Sequence, residues 1–183
     1  MRRFLIITVI YTLALLPLNA QIQRKFFGYS FGSSKQVVLQ GMRAKGYSID
    51  NTSEGFLALG TTQNPIKFGG YEWEWVSFKF FGNKLYDVSF CVTTDKASSQ
   101  TIIEHYNSLI RQLDNKYAQY DREIYDDKNA QWGDSNTGVI CRYMYIDSNH
   151  NIVDYPTRKV NMYLWYYDKN GNKRKWDNDN SEL

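Results

Sequence analysis

The stretch Tyr71–Val92, YEWEWVSFKFFGNKLYDVSFCV, decides the fold, because two aromatic-rich runs flank a Gly-Asn pair that is typical of a turn. We predict a long antiparallel β-hairpin from this pattern. Its register follows from the two faces, since a slip of one residue would exchange core and solvent side chains. A loop of three residues, Gly82–Lys84, keeps one face apolar, where Val76 pairs with Phe90, Phe78 with Val88 and Phe80 with Tyr86.

The same loop gives the second face of the hairpin a charge pair and a polar pair. It places Lys79 opposite Asp87, Ser77 opposite Ser89 and Trp75 opposite Cys91. A two-residue loop is commoner for Gly-Asn, but it would set Phe78 against Asp87. We therefore predict the three-residue loop and a buried first face.

Helix signals precede strand patterns twice along the chain. Ser33–Gln36 fits a capping box, which predicts a helix through Lys45 that ends at Gly46. A second helix is predicted from Ser98 or Ser99 to about Ala118, with apolar residues three and four apart at Ile102, Tyr106, Leu109, Leu113 and Tyr117. Three or four antiparallel strand patterns follow each helix.

This order predicts an α+β fold built from two successive helix-then-strands units. The units would be residues 26–95 and 96–168 of a single domain, residues 21–170. We expect the helices to pack on one face of the sheet or sheets. The end of the chain, residues 171–183, is predicted to be a polar tail.

The helix opening FGSSKQVV, residues 31–38, and the repeated helix-then-strands order resemble the tandem-repeat fold of secreted β-lactamase inhibitory proteins. Each unit is also similar to small outer-membrane-assembly lipoproteins. The chain differs from these families because it has no Cys for lipid attachment after its signal and lacks the paired disulfides of the inhibitors. The resemblance implies a binding protein whose sheet face engages another protein.

Residues 1–20 have the pattern of a secretory signal peptide, with Arg2 and Arg3 before the apolar run Phe4–Leu16 and the small residue Ala20 for cleavage. The run is shorter than the about 20 residues that a membrane helix needs. Removing the segment lowers the net charge from +3 to +1, because it carries two Arg and no acidic residue. We expect an exported protein, periplasmic or secreted, with no membrane span after cleavage and no nucleic-acid partner.

Two cysteines, Cys91 and Cys141, remain after cleavage of the signal. An oxidising compartment would allow a disulfide between them. Both lie in predicted strands, however, and small apolar Cys side chains are often simply buried. The sequence leaves both arrangements open.

No pattern for a catalytic centre, a cofactor or a metal stands out. His105 lies in a predicted helix, and His150 lies in the turn Asp147–Asn151. That turn resembles the start of a calcium loop, but Ile152 stands where the loop requires Gly. We therefore expect no catalytic residue, cofactor or bound metal.

An acidic cleft is the alternative to a simple binding surface. Glu72 and Glu74 share one face of a predicted strand, with Trp73 and Trp75 on the other. Two carboxylates beside aromatic platforms would suit a carbohydrate-active enzyme or a glycan-binding accessory protein. Ordinary solvation at the end of a strand explains the same glutamates.

Aromatic alternation in the strands is the stronger functional signal. The leading hypothesis is a non-catalytic module that uses a sheet face, on the side away from the helices, to bind a protein partner or a glycan in the cell envelope. The candidate binding residues are Trp73, Trp75, Tyr143, Tyr145, Tyr163, Trp165 and Tyr167. Because strands favour aromatic residues anyway, burial under other parts of the chain is the competing explanation.

Overall fold

The computed structural model of the chain describes residues 21–94, 99–120, 122–126, 128–147, 149, 151–153, 157 and 159–180. The predicted signal peptide lies outside the described residues. Within them, the helices are α1 (Lys35–Ala44), α2 (Ser99–Lys116) and α3 (Lys169–Asn180). None of these three helices is long and apolar enough to cross a membrane.

Short and long strands alternate with these helices along the described ranges. In chain order they are β1 (Lys25–Phe26), β2 (Tyr29–Ser30), β3 (Ser48–Asn51), β4 (Gly55–Leu59), β5 (Ile66–Phe68), β6 (Tyr71–Trp73), β7 (Trp75–Phe81), β8 (Lys84–Thr94), β9 (Glu123–Asp126), β10 (Asn129–Gly133), β11 (Thr137–Ile146), β12 (Ile152–Val153) and β13 (Lys159–Asp168).

One large antiparallel sheet joins the two halves of the chain. Its strand order is β3-β4-β7-β8-β13-β11-β10-β9, with β12 paired beside β11. The last strand of the first half, β8, pairs with the last long strand of the second, β13, from Val160 with Thr94 to Tyr167 with Asp87. The first half therefore contributes a helix and four strands of this sheet, and the second half contributes a helix and five strands, β12 included. The predicted α+β fold is confirmed.

The central hairpin has the predicted register along most of its length. Trp75 to Lys79 pair with Cys91 to Asp87 as expected from the two faces. The predicted three-residue loop is wrong, because Phe81 pairs with Lys84 around a two-residue turn and Phe80 pairs with Leu85. A bulge at this point takes up the extra residue, so the commoner turn and the favoured register coexist.

The turn itself explains the Gly-Asn pair. Gly82 and Asn83 have φ angles of 54° and 62°, the left-handed region that a type I′ hairpin turn requires at both central positions. The Asn83 side chain also accepts a hydrogen bond from the Lys35 backbone N–H at 3.2 Å. The hairpin turn thus caps the start of α1. The N-cap is Ser34, one residue after the predicted Ser33, and its side chain makes no capping hydrogen bond.

The first arm of the hairpin is shorter than predicted. Tyr71–Trp73 leaves the main sheet as β6 and pairs with β5, so that Trp73 lies opposite Ile66. Glu74 stands at the break between the two sheets, where its backbone N–H reaches the Cys91 carbonyl at 3.0 Å. Trp73 and Trp75 therefore belong to different sheets.

The core lies on one face of the large sheet, beneath α1 and α2. Val38 and Met42 of α1 are fully buried there, and α2 contributes Tyr106, Leu109 and Leu113, with Tyr117 directly after its end. The sheet side of this core contains the predicted apolar residues of the hairpin, Val76, Phe78, Val88 and Phe90, each with no exposed surface. The described residues thus form one core that both halves share.

The segment after β13 forms a helix instead of the predicted polar tail. Lys173 and Lys175 pair with Asp177 and Asp179 four residues later, which supports an exposed helix. Gly171 is buried against the Tyr86 side chain, where a Cβ would clash. This contact and the ion pair from Lys175 to Glu54 at 3.0 Å hold the helix against the body of the protein.

The two cysteines are buried free thiols on opposite faces of the sheet. Cys91 pairs with Tyr163, whereas Cys141 pairs with Leu164, and β13 lies between their strands. Two interstrand spacings of about 4.8 Å separate the backbones by about 10 Å, more than a disulfide spans. The disulfide that the sequence left open is therefore excluded in this fold.

Thiol titration tests this placement. We expect no reaction of the native protein with a thiol reagent, since burial raises the pKa of Cys91 to about 12 and raises that of Cys141 above its ordinary value. Both thiols should react in denaturant without any reductant. Recovery of thiols only after reduction would contradict the pairing of β8 with β13.

Candidate functional site

Side chains on the sheet surface opposite α1 and α2 form the candidate site, which we name the aromatic face. Residues that lie directly opposite one another in antiparallel strands point to the same side, so the register defines the members. They are Trp75, Ser77 and Lys79 of β7, Asp87, Ser89 and Cys91 of β8, Asn161, Tyr163, Trp165 and Tyr167 of β13, and Ile140, Arg142 and Met144 of β11.

Four of the predicted binding residues lie on this face and are partly exposed: Trp75, Tyr163, Trp165 and Tyr167. The Trp75 and Tyr163 rings meet edge to face at 6.0 Å, and the Trp165 and Tyr167 rings do so at 6.2 Å. Tyr167 also lies over Gly138 of β11, where any Cβ would clash with its ring. The aromatics thus form two ring pairs that together cover β7, β13 and Gly138 of β11.

The other three predicted residues do not belong to the aromatic face. Trp73 is 2% exposed, and its indole N–H donates to the Phe68 carbonyl at 2.9 Å on the core side. Tyr143 and Tyr145 are 6% and 8% exposed and point towards α2, where Tyr143 meets Tyr106 at 5.0 Å. Their assignment to the binding surface is wrong.

The register of β11 explains the error. Tyr143 and Tyr145 pair with Met162 and Val160, which are core residues, whereas Arg142 pairs with Tyr163. Both sides of β11 carry apolar residues, so alternation alone could not say which side is buried. Arg142 lies on the same side of β11 as aliphatic residues. Its charge was the sequence feature that indicated that this side faces outward.

Arg142 is a candidate binding residue that the sequence analysis missed. Its guanidinium lies 5.8 Å from the centre of the Tyr163 ring and 6.0 Å from that of Trp165. Such contacts are favourable for a planar cation and fix its position. Its Nε is buried, and its side chain has no hydrogen bond or ion pair with any described residue.

A buried carboxylate lies beside this layer. Asp87 is 1% exposed, its Oδ2 accepts the Trp165 indole N–H at 2.5 Å, and its Oδ1 has no partner among the described residues. Burial raises the pKa of Asp87 to about 7, although the Lys79 cation and the Trp165 hydrogen bond act in the opposite direction. Asp87 is therefore only partly charged near neutral pH.

Lys79 is directed to a different carboxylate. Its Nζ lies 3.0 Å from Glu54 and 5.8 Å from the centre of the Trp165 ring. Burial opposes the charge on Glu54, but hydrogen bonds from Lys175 and Lys79 outweigh it and lower the pKa of Glu54. Glu54 thus remains ionised between two lysines.

The aromatic face also holds most of the buried polar atoms that lack partners within the described residues. Of the four such atoms, Asp87 Oδ1, Arg142 Nε and Asn161 Oδ1 lie on this face, and only the Tyr117 hydroxyl lies elsewhere. Folded proteins seldom leave buried polar groups unpaired. Three of these four atoms therefore lie on one surface, where the described chain itself supplies no partner for them.

The glutamates of the alternative site line a different surface. Glu72, Trp73 and Glu74 border an open groove of about 590 Å³ with the loop from Gly60 to Pro65. Glu74 accepts the Thr93 backbone N–H at 3.1 Å. Because Trp73 is buried and Trp75 does not line this groove, its described lining has no exposed aromatic platform.

The remaining titratable candidates form no cluster. His105 is exposed on α2 and meets Tyr71 at 5.8 Å, and Asp147 uses its carboxylate to accept the Asn149 and Asn151 backbone N–H groups. His150 lies outside the described residues. Within the described ranges, no group of three or more His, Cys, Asp or Glu residues could hold a metal ion.

Comparisons with protein-family models, with curated proteins and with solved structures find no match to this chain. The resemblance to tandem helix-and-sheet proteins therefore rests on the order of elements and on the FGSSKQVV helix opening.

The buried Asp87 predicts an unusual pH dependence of stability. Its folded pKa of about 7 lies above the about 3.9 of an unfolded Asp, so folding binds a proton between these values. The free energy of unfolding should therefore fall by a few kcal/mol as the pH rises from about 4 to about 7. Urea denaturation at several pH values measures this change.

Asp87→Asn should remove this part of the pH dependence and make the protein more stable than the wild type at pH 8. Asp50→Asn is the matched control, because Asp50 is exposed on β3. If Asp87→Asn shifted the stability equally at pH 5 and pH 8, the buried, proton-binding state of Asp87 would be refuted.

Proposed function

We propose that the protein is an exported, non-catalytic binding module that recognises a protein partner through the aromatic face. The observation that carries this proposal is the grouping of Trp75, Tyr163, Trp165, Tyr167 and Arg142 on one partly exposed sheet surface. Export is supported by the signal-like pattern of residues 1–20.

The composition of the aromatic face favours a protein partner. Trp, Tyr and Arg are the residues in which interface binding energy is concentrated, and their rings add large contact areas with few rotatable bonds. The layer is already ordered by its own ring contacts, such as Trp75 with Tyr163 at 6.0 Å. Little side-chain entropy would be lost when a partner covers it.

The dimensions of the face also suit a protein partner. Four strands at about 4.8 Å and about seven residues at about 3.3 Å each give a surface of roughly 20 by 23 Å. A standard interface buries about 800 Å² on each side, so this surface would supply its centre and the neighbouring loops its rim.

Glycan binding at the groove beside Glu72 and Glu74 is the second candidate. The groove volume of about 590 Å³ favours it, because a short saccharide would fit. The buried Trp73 counts against it, since sugar platforms need an exposed ring. The aromatic face is therefore the stronger proposal.

Removing one ring tests the proposal. Trp75→Ala should lower the recovery of bound proteins from the native cell envelope at least tenfold, because truncating a central interface aromatic costs about 1.4 kcal/mol or more. Trp176→Ala is the matched control, since Trp176 is 70% exposed on α3 and is not a member of the aromatic face. Quantitative mass spectrometry of the captured proteins provides the measurement, and circular dichroism confirms that both variants fold.

Equal recovery of the same proteins by Trp75→Ala and the wild type would contradict a role for this face. So would a loss with Trp176→Ala that matched the loss with Trp75→Ala.

A further inference from the structure

We infer that Arg142 is the anchor of the aromatic face and that it receives a carboxylate from the partner protein. This inference rests on the proposed function and specifies the chemistry of the partner. It follows from the position of the guanidinium, from the charges around it and from the absence of any pairing group within the described residues.

The guanidinium of Arg142 is held in place without being neutralised. Its contacts are the rings of Tyr163 and Trp165, at 5.8 and 6.0 Å. Of its three nitrogens, only Nε is a buried atom without a partner, so the terminal nitrogens reach the solvent. They present a planar pair of donors to an incoming group.

Other partly buried arginines of the described chain are paired with carboxylates. Arg24 lies 2.6 Å from Asp168, and its second terminal nitrogen also bonds Thr137. Arg142 is likewise only partly exposed, but no described carboxylate pairs with it. The Nε–H of Arg142 is buried without an acceptor in the described chain, and a buried donor left unpaired is costly.

The acidic groups near the aromatic layer are already engaged. Glu54 is shared between Lys79 and Lys175, each 3.0 Å away. Asp87 is buried and bonded to the Trp165 indole. Arg142 is thus the cation of this layer without a counter-ion among the described residues, and charge complementarity selects a negatively charged group on the partner.

A single carboxylate fits this site better than a polyanion. Arginine binds a carboxylate through two parallel N–H donors, and the flanking rings would exclude water from that contact. A nucleic acid or a phosphate-rich surface would need several clustered cations. The face offers one unpaired cation among aromatic residues, which is typical of recognition of one Asp, Glu or carboxyl terminus.

Peptide selection on the purified exported protein tests the inference. The probe is a displayed library of random 12-residue peptides, and binding is measured with synthetic copies of the selected peptides. We expect an acidic residue in the peptides that compete for the aromatic face, and its change to the amide should weaken binding at least tenfold. Arg142→Gln should weaken the parent peptide to the same extent and should leave the amide peptide unaffected.

Two further variants make the result specific to the guanidinium. Arg142→Lys keeps the charge but removes the planar pair of donors, and it should lose most of the affinity. Arg111→Gln is the matched control, because Arg111 is exposed on α2 on the other side of the sheet, and it should change nothing.

Failure of the inference is distinguishable from failure of the proposed function. Peptides that need Trp75 but bind Arg142→Gln as tightly as the wild type would overturn the carboxylate anchor and leave the binding face in place. Peptides that are insensitive to both Trp75→Ala and Arg142→Gln, or a selection that yields no binding peptide, would overturn both.

Discussion

The antiparallel pairing of β8 with β13 is the constraint on which the structure depends. It joins the two halves of the chain into one sheet and fixes, residue by residue, which side chains share a face. On the core side it brings Phe90 against Leu164 and Val88 against Tyr166, all of them buried. The outward-facing residues of both halves lie together on the other side of the same pairing. The aromatic face therefore exists only because the two halves are joined.

That outward side combines exposure with incomplete hydrogen bonding. Trp165 is central to it, because its indole N–H bonds Asp87 while its ring lies near both Arg142 and Lys79. Burial disfavours the charged form of Asp87 and raises its pKa to about 7. Unfavourably buried charges of this kind are common at sites that have a function in addition to a structural role. The proposed binding role explains why a stable sheet would keep an unpaired Arg and a buried Asp on the same face.

Much of the sheet and of the aromatic face could be predicted from alternation, whereas the hairpin bulge, the buried side of β11 and the last helix were not. The five central hairpin pairs follow from Lys79, Asp87 and their apolar neighbours, because only one register keeps both faces consistent. The bulge near Tyr86 could not be predicted, since any residue can occupy it. Alternation in β11 identified two faces but did not show which one is buried. Tyr143 packs against Tyr106 in the core, where an aliphatic residue would fit equally well. The helix after β13 was missed because its support comes from Glu54, far away in sequence.

Trp side-chain signals test the central claim most directly, because the five Trp residues sample distinct environments. Trp75 and Trp165 lie on the aromatic face, Trp73 and Trp132 lie in the core, and Trp176 is exposed on α3. Nuclear magnetic resonance of the indole N–H groups, recorded as a captured partner or selected peptide is added, reports on each separately. The account predicts that the Trp75 and Trp165 signals shift while the other three remain in place. Shifts confined to Trp176, or to Trp73 beside the acidic groove, would contradict it.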